Sequence, residues 1–253
     1  LSAGADDRDA TVRGADGTRR CRWCAEDGAY RAYHDTEWGR PVVDEVRCFE
    51  KLCLEGFQAG LSWITILRKR DGFREAFAGF DPEIVAGFGP GEVDRLLRNA
   101  SIVRHRGKIE SAIHNARVTL DVLERRASLA GLLWSFEPVR RGRSVPEGAG
   151  DVPAVTAQSA ACSAALRREG YKFVGPTTCY AAMQSLGIVN DHFRLCAMRK
   201  ACEAERRQVV IPAVVDSAPP ILVSGSGTGT IAAVEAGRVP VRIPKSSRTR
   251  RET

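Results

Sequence analysis

Nowhere in the 253 residues do about 18 apolar side chains follow one another, so no membrane-spanning helix is expected. The first twenty residues are polar and mixed in charge, and lack the apolar segment of a secretory signal, so a cytosolic protein is expected. Dense cysteine spacing is absent as well. The eight cysteines stand at 21, 24, 48, 53, 162, 179, 196 and 202, unlike a small disulfide-stapled scaffold. Cys53 and Cys179 fall inside apolar helical patterns, where reduced, buried thiols are the plain expectation. No internal repeat is visible.

What is present is enough apolar material, 43% of the chain, for one substantial core or two small ones. The net charge of +7 suits a polyanionic partner, although a basic surface also serves solubility. Residues 1–20 are rich in Gly, Asp, Arg and Ala without periodicity, and are expected to be a disordered extension. From about 43 to 202 the pattern is helical almost throughout, so the core, residues 21–203, is expected to be all-α. Phe73, Phe77 and Phe80 fall at i, i+4, i+7, and Ile109, Ile113, Ala116, Leu120 and Leu123 form a longer stripe. Pro82, Pro90 and Pro176 each suit the first turn of a helix. Residues 204–253 mix Val/Ile runs with Pro, Gly and Ser and end in a basic stretch. They read as a disordered, solvated tail.

Cys21 and His34 near the start of the helical region, with His192 and Cys196 near its end, offer a Cys2His2 set of the kind that holds structural zinc. On a helix, the i, i+4 spacing of His192 and Cys196 puts both on one face. Ordinary packing accounts for such a pair more often than metal ligation does. Cys21-x2-Cys24 is itself zinc-like, so spacing leaves Cys21/Cys24 and Cys21/His34 both open.

Tyr30, Tyr33, His34, Glu37 and Trp38 form a dense polar-aromatic segment, followed by the string from Cys53 to Trp63 with Glu55 among apolar neighbours. Aromatic faces stack on purines, and a carboxylate accepts from an exocyclic amine. An unpaired buried carboxylate is expensive, so Glu55 is exposed, paired, or positioned for a ligand. Residues 166–184 read helix, tight turn, helix. Gly175 permits close backbone approach and Pro176 pre-sets a helix start, so outward N–H groups there suit phosphate, with Lys172, Arg167 and Arg168 adding charge. A generic helix corner is the alternative. A second basic segment, Arg104-His105-Arg106-Gly107-Lys108, is either a phosphate-facing edge or a solvated helix start.

These segments together resemble the 3-methyladenine DNA glycosylase I family of bacterial base-excision repair enzymes. The resemblance is carried by Cys21-Arg22-Trp23, the string from Tyr30 to Gly39, and Cys53-Leu54-Glu55-Gly56 through Thr65. Ile102 to Ile109, Tyr171 to Gly175, and Val189-Asn190-Asp191-His192 complete it, with the motifs in order over roughly 21–200. It implies the helix-hairpin-helix glycosylase fold, with the hairpin at Lys172–Pro176 gripping the DNA backbone through Lys172, Gly175 and Thr177. It implies structural zinc on Cys21, His34, His192 and Cys196, leaving Cys24 out. It implies a base pocket of Tyr30, Tyr33 and Trp63 with Trp38 in support, and Glu55 as the catalytic residue that reads the adenine face bearing the amine. The activity implied is release of 3-methyladenine from double-stranded alkylated DNA by a monomeric, monofunctional enzyme.

Asn190 stands where the wider superfamily has an Asp that assists base departure, which fits a cationic base that leaves readily. No lysine falls in the pocket segments, so no lyase activity is expected, and Asp191 is the only local substitute for the missing Asp. Three features depart from the family pattern: Ser101 in place of a Gly, the additional Cys24, and the length beyond 203. Two other readings compete, a catalytically silent DNA-binding module and a metal hydrolase. Four protein ligands would leave the hydrolase no open coordination position.

Overall fold

The computed structural model describes residues 10–140 and 143–215. Among these, ten α-helices follow a two-stranded hairpin. The strands β1 (Thr11–Arg13) and β2 (Arg19–Cys21) pair antiparallel, Thr11 opposite Cys21. Residues 10–20 are therefore ordered, not the disordered extension expected, while 1–9 lie outside the described residues. The reason is an ion pair too local to show as periodicity. Buried Arg20 donates to Asp16 at 2.6 Å and to Asp35 at 2.8 Å, fastening the hairpin to the first helix.

The helices are α1 (Gly28–Thr36), α2 (Glu45–Gln58), α3 (Trp63–Ala76), α4 (Pro82–Ala86) and α5 (Pro90–Arg98). They continue with α6 (Arg106–Arg126), α7 (Leu129–Trp134), α8 (Ala157–Glu169), α9 (Pro176–Ser185) and α10 (Met198–Gln208). Pro82, Pro90 and Pro176 each open a helix, where the missing N–H would lack a partner in any case. Side-chain caps start others: Asp27 accepts from the Tyr30 N–H, Asp44 from Arg47, and Ser128 from Gly131.

Helix α2 is the centre of the packing, touching α3, α6, α7 and α9, and every residue from Cys48 to Phe57 is buried. Its buried Glu50 is neutralised by Arg47 at 2.6 Å and Arg74 at 2.8 Å, which is what makes that burial tolerable. Phe57, Phe73, Phe77 and Phe80 form a continuous ring cluster beside it. The apolar stripe on α6 is buried at Ile109, Ile113 and Ala116, with Val122 replacing Leu123 as the fully buried position near its end. Ser101 fits its turn because Gly72 stands opposite. A Cβ on Gly72 would lie 2.6 Å from that of Ser101.

The expected tail does not begin at 204. Helix α10 continues to Gln208 because Arg206 is buried and donates to Glu137, Glu203 and the Ile188 carbonyl. Residues 209–215 then run without regular structure past α7, the Val215 N–H reaching the Arg126 carbonyl at 3.1 Å. Gly131 permits that approach, since a Cβ there would meet the Pro212 carbonyl oxygen at 2.5 Å. Residues 216–253 lie outside the described residues. No described helix is long and apolar enough to cross a membrane.

Candidate active site

A cavity of about 260 Å³ opens between α1, α2, α3 and α9. Helix α1 contributes Tyr30 and Tyr33, and Trp38 follows it in the next turn. Helix α2 contributes Glu55 and Gln58 from its last turn, α3 opens with Trp63, and α9 adds Ala181 and Gln184. Trp23, half-exposed, completes the wall. All five pocket residues named from the sequence therefore meet around one space.

The rings are mutually braced. Tyr33 and Trp63 lie 5.3 Å apart at 46°, while Trp23 meets Tyr30 and Trp38 edge-on at 5.4 and 5.1 Å. The buried Trp63 Nε1–H has no hydrogen-bond partner among the described residues. Glu55 is buried, and that burial pushes its carboxyl up to about 7 against the lowering effect of the Lys51 charge and the neighbouring Ser185 hydroxyl. Lys51 sits one turn before Glu55, buried, with its ammonium 5.1 Å from the centre of the Tyr33 ring. Lys51 lies outside the pocket segments named from the sequence and is not among the residues lining the cavity.

Beside this wall lies a second cluster. The donor atoms of Cys21, His34, His192 and Cys196, all buried, fall within 4.8 Å of one another, so the group could hold a metal ion. His34 Nδ1–H donates to Asp35 at 2.7 Å and His192 Nε2–H to the Trp38 carbonyl at 3.0 Å. Those bonds leave His34 Nε2 and His192 Nδ1 facing each other at 3.1 Å. Hydrogen bonding to Cys21, and then to His192 and His34, holds the Cys196 thiol far down, to about 2.

Cys24 turns its sulfur to the Cys21 carbonyl and stays outside the set. His192 and Cys196 do not share a helix as their spacing suggested. They lie in the segment before α10, joined by a turn in which the Cys196 N–H bonds the Phe193 carbonyl. Gly39 has a left-handed backbone (φ +78°), and a Cβ there would press to 3.1 Å on the His192 ring. Trp23 and Trp38 pack edge-on against His34 and His192, so the cluster and the cavity share a wall.

Helices α8 and α9 are joined by Gly170–Gly175, on which Lys172 is exposed and Gly175 half-buried. Asn115 clamps this turn, accepting from the Lys172 N–H at 2.8 Å and donating to its carbonyl at 3.0 Å. No side chain caps α9, and Thr177 is exposed in its first turn. The basic segment at 104–108 opens α6. Lys108 there is buried and donates to the Phe57 and Ala59 carbonyls at the end of α2, so it is a helix cap and not a phosphate contact. Asn190 is fully buried, its amide donating to the Arg199 carbonyl and to Glu203. Asp191 accepts from Arg143 and Tyr180, both at 2.6 Å, and from Gln184 at 2.9 Å, which occupies both its oxygens.

The family model described as methyladenine glycosylase matches residues 23–200. The chain belongs to the methyladenine glycosylase family. Among its relatives, DNA-3-methyladenine glycosylase 1 of Escherichia coli strain K12 is 45% identical over 177 residues, which are 70% of this chain and 95% of that protein. A crystal structure of 3-methyladenine DNA glycosylase I, also 45% identical, superposes with a TM-score of 0.67 and covers 70% of this chain and 98% of its own. The Staphylococcus aureus enzyme, from a structure on the basis of 3-methyladenine recognition, is 34% identical with a TM-score of 0.66, covering 75% of this chain and 97% of its own.

Sequence reasoning about this family member missed Trp23, Gln58, Ala181 and Gln184. Trp23 lay within a recognised string and Gln58 one turn from Glu55, so both carried a local signal. Gln184 carried none, because it reaches the cavity only through the packing of α9 on α2.

Proposed function

We propose that this chain is a monofunctional DNA glycosylase that flips 3-methyladenine out of alkylated duplex DNA and hydrolyses its N-glycosidic bond. The observation that carries this reading is the buried Glu55 carboxylate facing a cavity walled by Tyr33, Trp63 and Trp23. A base methylated at N3 and still attached to deoxyribose is a cation. Aromatic faces and a carboxylate attract it, while neutral adenine gains far less from the same groups. Glu55 accepts from the exocyclic amine, and its negative charge follows the base into a site that excludes water.

On cleavage the bonding electrons pass to the purine, which departs as neutral 3-methyladenine, and water adds to the sugar carbon. Little acid assistance is needed, which agrees with Asn190 and Asp191 both being committed to structural hydrogen bonds. Leu61, exposed on the turn between Gln58 and Trp63, is suited to fill the gap left in the duplex. The uncapped N-terminus of α9, with Thr177, Gly175 and Lys172, suits a backbone phosphate read without regard to sequence.

The four-residue cluster fits structural zinc. In a tetrahedral site, N···N, N···S and S···S edges are about 3.3, 3.5 and 3.8 Å given bonds of about 2.0 and 2.3 Å. The chain places His34 and His192 nitrogens at 3.1 Å, and Cys196 at 3.4 and 3.5 Å from them. Cys21 lies 3.9 Å from His192. The ion's role here is to join the hairpin and α1 to the segment before α10.

The deciding experiment is chromatography of the bases released from methylated duplex DNA. Free 3-methyladenine is expected, and its absence overturns the reading.

A further inference from the structure

Two buried carboxylates, Glu50 and Glu55, and the partly buried Glu37 gather around α2, and they are not balanced alike. Glu50 has Arg47 and Arg74. Glu37, from the turn after α1, has Arg70 at 2.7 Å and Arg47 at 3.5 Å. Among the described residues Glu55 has no arginine partner of this kind, and the cation that acts on it is Lys51. Buried lysines are rare, and each needs a reason. We infer that Lys51 is a positioning residue that keeps Glu55 ionised: it stands one helical turn before Glu55 on α2, with its ammonium over the Tyr33 ring. The inference rests on the role proposed above for Glu55.

The placement answers a conflict in the chemistry. Attraction of a cationic base requires Glu55 to be charged, yet its burial opposes that charge. A cation lining the cavity would restore the charge but repel the substrate. Lys51 avoids this because Tyr33 lines the cavity and Lys51 does not, the ammonium being held against the ring.

The groups facing the pair are known from every element around it. They are Arg47 on α2, Tyr30 and Tyr33 on α1, Glu37 after it, Arg70 on α3, and the Ser185 hydroxyl on α9. Burial pushes Lys51 down to about 8, against Glu37 and Glu55 which hold it up. Each charge thus favours the other: Lys51 draws the Glu55 carboxyl down, and Glu55 holds the Lys51 ammonium up.

The test is the pH profile of kcat/KM for 3-methyladenine release by the full chain, comparing wild type with Lys51→Met, Lys51→Gln and Lys51→Arg. With either uncharged side chain the acid limb is expected to move up by about one pH unit, and with arginine to return toward the wild-type position. A merely structural role would lower the plateau without moving the limb, and an unmoved limb in a folded variant overturns the inference. The carboxyl carbon-13 resonance of Glu55, followed through pH in the wild type and in Lys51→Met, supplies a second reading. A higher midpoint in the variant supports the inference, and an unchanged midpoint overturns it. Wild-type protein that releases no base would refute the glycosylase reading, while the resonance still reports on the pair.

Discussion

Replacing Glu55 by Gln should make the protein more stable while it weakens excision, and the gain should depend on pH. Burial, the largest influence on this group, raises the carboxyl from 4.5 to about 7, so the folded chain binds the proton more tightly than the unfolded one. Its contribution to stability is therefore greatest below the unfolded value and is lost as pH rises through 7. A rise of about 2.5 units at about 1.4 kcal/mol each amounts to about 3 kcal/mol at pH 8. Glutamine keeps the shape and never ionises, so E55Q should recover at most that amount at pH 8, since buried Lys51 loses the Glu55 charge that holds it up, and less than about 1 kcal/mol at pH 5. For a domain of this size the gain corresponds to a melting temperature higher by roughly 6–12 °C at pH 8. Thermal unfolding followed by circular dichroism at the two pH values is the assay, with base release measured alongside. An equal difference at both pH values, or a variant less stable at pH 8, would refute the argument that the charged carboxylate is held at a cost in stability.

Cys196→Ala should bind less than one equivalent of zinc by elemental analysis, and chelation of the wild type should lower its melting temperature, because metal-binding free energy is folding free energy. Full stability in the chelated protein would contradict a structural ion. Lys172→Ala should weaken binding to duplex DNA of any sequence and reduce the slope of log affinity against log salt by about one. A loss confined to methylated DNA would instead place Lys172 at the base.

The helical frame was readable because its signals are local. Prolines at 82, 90 and 176 open helices, and the α6 stripe follows a single period. The hairpin at 11–21 was not readable, since three-residue strands are too short for alternation and their order depends on Arg20 reaching Asp35. The choice of His34 over Cys24 needed a distance, which spacing does not contain. The pairing of His192 with Cys196 was expected from helical periodicity, yet a turn achieves it, because i, i+4 proximity is not unique to helices. Lys51 escaped notice for another reason. In the one-dimensional pattern it is an ordinary charged position, and only the packing around α2 shows that it is enclosed.

Cys21 and His34 come from the first stretch of the folded core, and His192 and Cys196 from near its last. A ribosome must therefore synthesise almost the whole core before the ring at 38 acquires the His192 imidazole it leans on. A nascent or truncated chain ending ahead of residue 192 would possess the acidic side chain and most of the stacking surfaces but lack the backing that sets their spacing. Completion of the pocket's backing is in this sense a late event in the making of the core, withheld from every fragment that stops short of it.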